Sequence, residues 1–177
     1  MNPVLENIFA RRSMRKFTQD PVPPELLDQL LQAAMCAPSA VNSQPWEFVV
    51  VTNPDTLASL RTILPFGKFP APAAIIVCGS QRVAKNPSGA MFWVQDCSAA
   101  TQNILLSATA LELGSCWIGI HPIPLIGNLV AKLLKLPFGV TPLCAIYLGY
   151  PEFIKSPKPK YDPEKIHWQT YGNKKSG

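Results

Sequence analysis

The sequence lacks the short motifs that most often mark a protein-encoded active site. It contains no G-x-x-x-x-G-K-[ST], G-x-G-x-x-G, H-E-x-x-H or G-x-S-x-G pattern, and it has only two histidines, His121 and His167. These absences exclude the common signatures of P-loop NTPases, Rossmann dinucleotide sites, zinc proteases and serine hydrolases. We expect both histidines to be loop or surface residues, no side chain to be the catalyst, and the chemistry to come from a cofactor.

The sequence also lacks paired cysteines and long apolar runs. Its five cysteines are an odd number without C-x-x-C spacing, and most lie inside apolar segments, which predicts buried thiols and no metal site. No apolar run approaches the length of a membrane span, and no charged leader precedes an apolar stretch at the N-terminus. We therefore expect a cytoplasmic protein without membrane association.

The charge of the chain points to an anionic partner. With 177 residues and 47% hydrophobic content, the chain is expected to form a single domain over residues 1–177 with a net charge of +5. The basic residues lie in two short clusters near the two ends of the chain, which suit a small phosphorylated ligand at least as well as a nucleic acid. A non-enzymatic module that binds anions or nucleic acid remains an alternative at this point.

Prolines, glycines and apolar periodicity divide the chain into alternating helices and strands. Such alternation predicts an α/β or α+β sandwich. The helix spanning about residues 90–113 is small or apolar on nearly every side, so it must be covered all round by its own domain or by a partner. The predicted helices are 3–10, 24–37, 54–64, 90–113 and 124–136, and the predicted strands are 47–52, 73–78, 115–120 and 141–149.

Two segments carry candidate binding residues. Residues 11–17, R-R-S-M-R-K-F, place three guanidinium groups and a hydroxyl within five positions, which can surround a phosphate, although a solvated basic turn explains them equally well. Residues 37–46, A-P-S-A-V-N-S-Q-P-W, form a stiff loop whose amides and hydroxyls could grip a flat heterocycle, or an ordinary long turn. Asp96, in the apolar helix, is expected to form structural hydrogen bonds to a neighbouring loop.

The order of these segments resembles that of a known family. R-R-S-M-R-K-F, A-P-S-A-V-N-S-Q-P-W-E-F, D-C-S-A-A-T-Q-N-I-L-L-S-A, L-G-S-C-W-I-G and L-G-Y-P together resemble the nitroreductase family of FMN-dependent enzymes from near Arg11 to the end. The resemblance implies an α+β fold, a three-layer α-β-α sandwich around a mixed, mostly antiparallel central sheet. It also implies a homodimer in which the C-terminal arm, about residues 150–177, extends over the partner.

The resemblance assigns FMN contacts to four groups of residues. The basic segment would bind the phosphate and the pyrimidine edge of FMN, two lysines of the arm would reach the phosphate, a loop of the second subunit would lie against the ring, and a strand would lie along the flavin face. A backbone N–H near Gly119 is expected at the flavin N5. The residues of the basic segment are Arg11, Arg12, Ser13 and Arg15, and the lysines of the arm are Lys158 and Lys160. The loop residues are Pro38, Ser39, Ala40 and Asn42, and the strand residues are Trp117, Ile118 and Gly119.

By the same resemblance, the chain takes a hydride from NADH or NADPH and reduces nitroaromatic, quinone or similar planar small molecules by a ping-pong mechanism. No nucleic acid is expected as a partner. A flavoprotein of the same fold with a specialised reaction, such as reductive dehalogenation or flavin processing, remains the main alternative.

Overall fold

The computed structural model describes residues 2–154, 156 and 160–174. Within these residues, five α-helices and four strands follow one another, and every predicted helix and strand is present within a few residues of its predicted bounds. Two single-turn 3₁₀ helices, Ala40–Asn42 and Pro163–Lys165, were not predicted. The elements are α1 (Pro3–Ala10), α2 (Pro24–Met35), β1 (Trp46–Val51), α3 (Pro54–Ile63), β2 (Ala73–Ser80), α4 (Ser88–Ala110), β3 (Gly114–Gly119), α5 (Pro124–Leu133) and β4 (Val140–Gly149).

Helix starts follow the proline punctuation of the sequence. Helices α1, α2, α3 and α5 each begin with a proline, whose missing N–H is one that a first turn leaves unpaired in any case. Asn2 and Asn53 cap two of these helices, because their side-chain oxygens accept hydrogen bonds from the N–H groups of Val4 (2.9 Å) and Thr56 (3.0 Å).

Two helices end about three residues earlier than predicted. Helix α4 ends at Ala110 rather than near residue 113, and α5 ends at Leu133 rather than near residue 136. In both cases a non-glycine residue just beyond the helix adopts a positive φ, 59° at Glu112 and 54° at Lys135. The N–H of the following residue then donates to a carbonyl of the helix, and this hydrogen bond ends the helix. Without a glycine at the left-handed position, the sequence does not indicate such an end.

The sheet has the order β1-β2-β4-β3, and all three neighbouring pairs are antiparallel. Among the described residues, a parallel pairing occurs only at an isolated bridge between Ser13 and Ser115, outside the named strands. Alternate residues of β2 face opposite sides, so that Ile75 belongs to one apolar cluster and Ile76 to the other. Strand β2 is therefore a central strand that is buried along its whole length.

The two faces of the sheet are covered by different helices. Residues of α2 and α4 complete one apolar cluster, and residues of α3 and α5 complete the other, which confirms the three-layer α+β sandwich. Strand β3 therefore lies at one edge of the sheet and β1 at the opposite edge. In the described part of the chain, no helix is both long enough and apolar enough to span a membrane.

Candidate functional site

The outer edge of β3 offers open backbone groups. The Ile120 N–H donates to the Leu143 carbonyl (3.1 Å), so even-numbered residues of β3 direct their backbone groups toward β4. Odd-numbered residues therefore face outward, as the hydrogen bond from the Met14 N–H to the Ser115 oxygen (2.9 Å) confirms. Beyond Ser115 this outward side includes the backbone of Gly119.

The residues at this edge leave room for a flat ligand. A Cβ atom built on Gly119 would meet no heavy atom within 4 Å. Trp117 is 37% exposed on the same face of the strand, whereas Ile118 is buried on the opposite face. An outward N–H beside open space and an indole fit a flat heterocycle that carries a hydrogen-bond acceptor at its edge.

The basic segment is anchored at the beginning of the same strand. Its hydrogen bond from Met14 to Ser115 places Arg12 and Ser13 beside the start of β3, where both are half-buried. Arg12 Nη1 donates to the carbonyl oxygen of Arg11 (2.7 Å). Among the described residues, Arg11 and Arg15 form no ion pair with a carboxylate, so their charges are available to a ligand.

A positively charged segment and an open site that fits a flat ring therefore lie along one strand, β3. The four steps from Ser115 to Gly119 span about 13 Å at the usual rise per strand residue. These positions fit a molecule with an anionic group at one end and a planar ring at the other. The predicted residues Arg11, Arg12, Ser13, Trp117, Ile118 and Gly119 are thus brought to one edge of the sheet, and Arg15 is exposed close by in sequence.

The loop of residues 38–44 is not brought to this site within one chain. It leads into β1, and the Pro45 carbonyl accepts a hydrogen bond from the Ser80 N–H (2.7 Å), at the opposite edge of the sheet from β3. Three strand spacings separate the two edges by about 14 Å. The predicted contacts Pro38, Ser39, Ala40 and Asn42 can therefore reach a ligand on β3 only from a second copy of the chain.

Asp96 holds this loop, as the sequence predicts. Its Oδ1 accepts a hydrogen bond from the Ala40 N–H (2.9 Å), and the side chain is only 5% exposed. Two further contacts to the loop were not predicted. Asn86 Nδ2 donates to the Val41 carbonyl oxygen (3.1 Å), and Lys85 Nζ contacts Gln44 Oε1.

The remaining candidates lie apart from this edge or outside the described residues. Lys160 is exposed, and Lys158 lies outside the described residues. His121 is exposed in the loop after β3, with its ring edge-on to Trp93 at 4.8 Å, and His167 lies in the tail. Both histidines are loop residues, as the sequence predicts.

The cysteines are free thiols, and four of the five are buried. Burial raises the pKa of Cys78, Cys97 and Cys144 to about 12, so these three thiols stay protonated and unreactive near neutral pH. Only Cys36 is exposed. Among the described residues, no group of three or more His, Cys, Asp or Glu side chains could hold a metal ion.

Comparison with known proteins identifies the family. A model of the Nitroreductase family matches residues 8–65 and 61–150. A Methanothermobacter thermautotrophicus protein, provisionally named NADH dehydrogenase/NAD(P)H nitroreductase, is 44% identical over 170 residues, which are 95% of this chain and 87% of the relative. The chain belongs to the Nitroreductase family.

Solved structures agree with this assignment. An FMN-dependent nitroreductase of Clostridium difficile R20291 is 30% identical with a TM-score of 0.85, over 94% of this chain and 99% of that chain. A provisionally assigned nitroreductase of Desulfovibrio desulfuricans, solved in complex with FMN, is also 30% identical, with a TM-score of 0.80 over 97% of this chain and 99% of that chain.

Proposed function

We propose that this chain binds FMN along the outer edge of β3 and uses it to reduce planar, electron-poor acceptors such as nitroaromatics and quinones. The chain is an FMN-dependent NAD(P)H oxidoreductase of the Nitroreductase family. The observation that carries the site is the open backbone edge at Gly119 beside an anchored basic segment. Family membership favours this enzyme over an anion-binding module without catalytic activity.

The chain's own residues bind and orient the cofactor. Arg11, Arg12 and Ser13 would hold the phosphate with charge-assisted hydrogen bonds, and Arg15 would lie toward the N1 and O2 side of the ring. Trp117 would lie along the flavin, Ile118 would support this part of the strand from its buried opposite face, and the Gly119 N–H would donate to the N5 position. Lys160, and Lys158 outside the described residues, would approach the phosphate from the C-terminal arm.

A homodimer is required for this site to be complete. The loop residues Pro38, Ser39, Ala40 and Asn42 of a second copy would close the ring pocket, since one chain holds them at the opposite sheet edge. The apolar face of α1 supports a second copy. Val4 is 66% exposed and Phe9 is 54% exposed, and no residue of α1 is buried, whereas contact with a partner would cover this face.

We further propose a single domain over residues 1–177, an arm from about residue 150 that extends over the partner, and a cytoplasmic location. Bound FMN supplies the two-electron chemistry. The chain contributes one exposed face beside Trp117, where the nicotinamide and the acceptor would bind in turn. Sharing one face requires the donor to leave before the acceptor binds, which is ping-pong kinetics.

The absorption spectrum of the purified protein tests this proposal. We expect a yellow protein that releases FMN and bleaches when NADH or NADPH is added without oxygen, and parallel double-reciprocal plots with a quinone as acceptor. The Arg11→Ala/Arg15→Ala double variant should be purified as apoprotein, because it loses two guanidinium groups that pair with no carboxylate among the described residues. A monomeric, colourless wild type that takes up no FMN in excess would refute the proposal, and full flavin occupancy in the double variant would refute the phosphate assignment.

A panel of acceptors separates the general reductase from a specialised flavoprotein. We expect several nitroaromatics and quinones to be turned over at comparable kcat/KM. One sharply preferred acceptor, with negligible turnover of the others, would favour a specialised reaction instead.

A further inference from the structure

The loop after α2 has an unusual backbone conformation. Val41 has φ 50° and ψ 34°, and Asn42 and Gln44 also have positive φ values of 53° and 49°. The left-handed region is disfavoured for all residues except glycine, and most strongly for β-branched residues such as valine, because of clashes with the Cβ substituents. Residues other than glycine keep this backbone conformation only where their surroundings impose it, and such residues are concentrated at ligand-binding and active sites.

The strain at Val41 is not offset by burial of its side chain. Val41 is 77% exposed, and Asn42 is exposed as well, so the described chain gains no core packing from this geometry. The conformation instead leaves both side chains exposed, where another molecule can contact them. A display of this kind is useful only if something outside the chain contacts the loop.

Hydrogen bonds from the segment that includes α4 impose the conformation. Asp96 Oδ1 accepts from the Ala40 N–H at 2.9 Å, immediately before Val41, and Asn86 donates to the Val41 carbonyl at 3.1 Å. Asp96 is the one charged residue of α4, and its Oδ2 is enclosed without a hydrogen-bond partner among the described residues. Burying a carboxylate at such a position costs free energy. Asp96 therefore stabilises the structure through its hydrogen bond to the loop rather than through packing.

We propose that Asp96 is a positioning residue, which holds the loop of residues 39–44, with its left-handed Val41, Asn42 and Gln44, in the conformation that presents Val41 and Asn42 to the flavin bound by a second copy. Val41 is then an apolar contact to that ring or its acceptor. This inference rests on the proposed function, because it takes the flavin of the partner as what the loop contacts. Asp96 itself touches neither flavin nor acceptor.

A double-mutant cycle between Asp96 and Val41 tests this role. Asp96 is proposed to hold the loop conformation, and Val41 is the residue that this conformation strains. The measurement is the Kd of FMN for the dimeric apoprotein, followed by quenching of flavin fluorescence. Asp96→Ala should weaken FMN binding by about 10- to 100-fold, the factor that corresponds to one charge-assisted hydrogen bond. Asp96→Asn keeps an acceptor for the Ala40 N–H, so it should restore most of the affinity.

Glycine at position 41 should remove the need for Asp96, because glycine adopts positive φ without steric cost. In the Val41→Gly background we therefore expect Asp96→Ala to weaken FMN binding only by about 3-fold, so the two effects are strongly non-additive. Asp28→Ala on the neighbouring helix α2 is the matched control and should leave the Kd unchanged. If Asp96→Ala does not fold, Asp96→Leu takes its place in the same cycle, since it keeps a similar volume without an acceptor.

Two outcomes would overturn the inference. If Asp96→Ala weakened FMN binding equally with valine and with glycine at position 41, Asp96 would act through the packing of α4. Wild-type affinity in Asp96→Ala would mean that the loop does not need it. A wild-type protein that binds no FMN would refute the proposed function itself, which is a different result from either.

Discussion

A leucine at position 119 should separate folding of the chain from binding of the cofactor. Gly119 is exposed and a Cβ built on it meets nothing within 4 Å, so we expect a Gly119→Leu side chain to extend into solvent in the isolated chain. We expect its free energy of unfolding without FMN to stay within about 0.5 kcal/mol of wild type, the usual range for surface substitutions. The same side chain would occupy the proposed place of the ring, and overpacking of about 1–3 kcal/mol corresponds to about 5- to 150-fold weaker FMN binding.

Two measurements on the apoprotein check this expectation. Urea unfolding gives the stability, and titration with FMN, followed by quenching of its fluorescence, gives the Kd. Gly127→Leu is the matched control, because a Cβ there also meets nothing within 4 Å and the position lies on helix α5 rather than on β3. Wild-type FMN affinity in Gly119→Leu would refute the placement of the ring at this edge, and equal weakening in both variants would show that the effect is not local.

Three further predictions concern stability and reactivity. Gly149→Ala should destabilise the protein by about 1–3 kcal/mol in urea unfolding, because its Cβ would lie 2.7 Å from the rigid Pro72 ring; unchanged stability would contradict this reasoning. A thiol reagent should label Cys36 alone in the native protein and all five cysteines in denaturant, as mass spectrometry would show. The three thiols whose pKa is raised from 9.0 to about 12, together with Tyr147, whose pKa burial raises to about 12, bind protons more tightly when folded. Their stabilisation is complete below about pH 9 and is lost as pH rises toward 12, so the urea midpoint should fall on going from about pH 8 to pH 10.5.

The element bounds that the sequence predicts well are those set by local chemistry. Asn2, Pro24, Asn53 and Pro124 mark helix starts because capping and a fixed proline φ act within one turn. The ends of α4 and α5 were predicted about three residues too late, since a left-handed residue that is not glycine, such as Glu112 or Lys135, leaves no local signal. The strand order could not be worked out from periodicity, because it depends on pairing between segments far apart in sequence. The antiparallel character came instead from the resemblance to a family.

The site was predictable to a similar degree. Arg11 to Arg15 and Trp117 to Gly119 could be named as candidates, but no pattern shows that both segments lie along one strand. The buried position of Asp96 in an apolar helix correctly indicated a bond to a loop. The left-handed Val41 could not be foreseen, because valine is among the residues least suited to that conformation, and only the contacts around it impose it.

The position of β3 at the end of the sheet also affects solubility. An uncovered strand edge is a template for pairing with another chain, and proteins usually protect such edges with charge, irregularity or a covering element. Here the first part of the edge is protected by the bridge at Ser13, and the rest, by our proposal, by the cofactor and the twin subunit. We therefore expect the protein without flavin to be less soluble. It should precipitate or associate through this strand edge at concentrations at which the flavin-bound protein stays in solution.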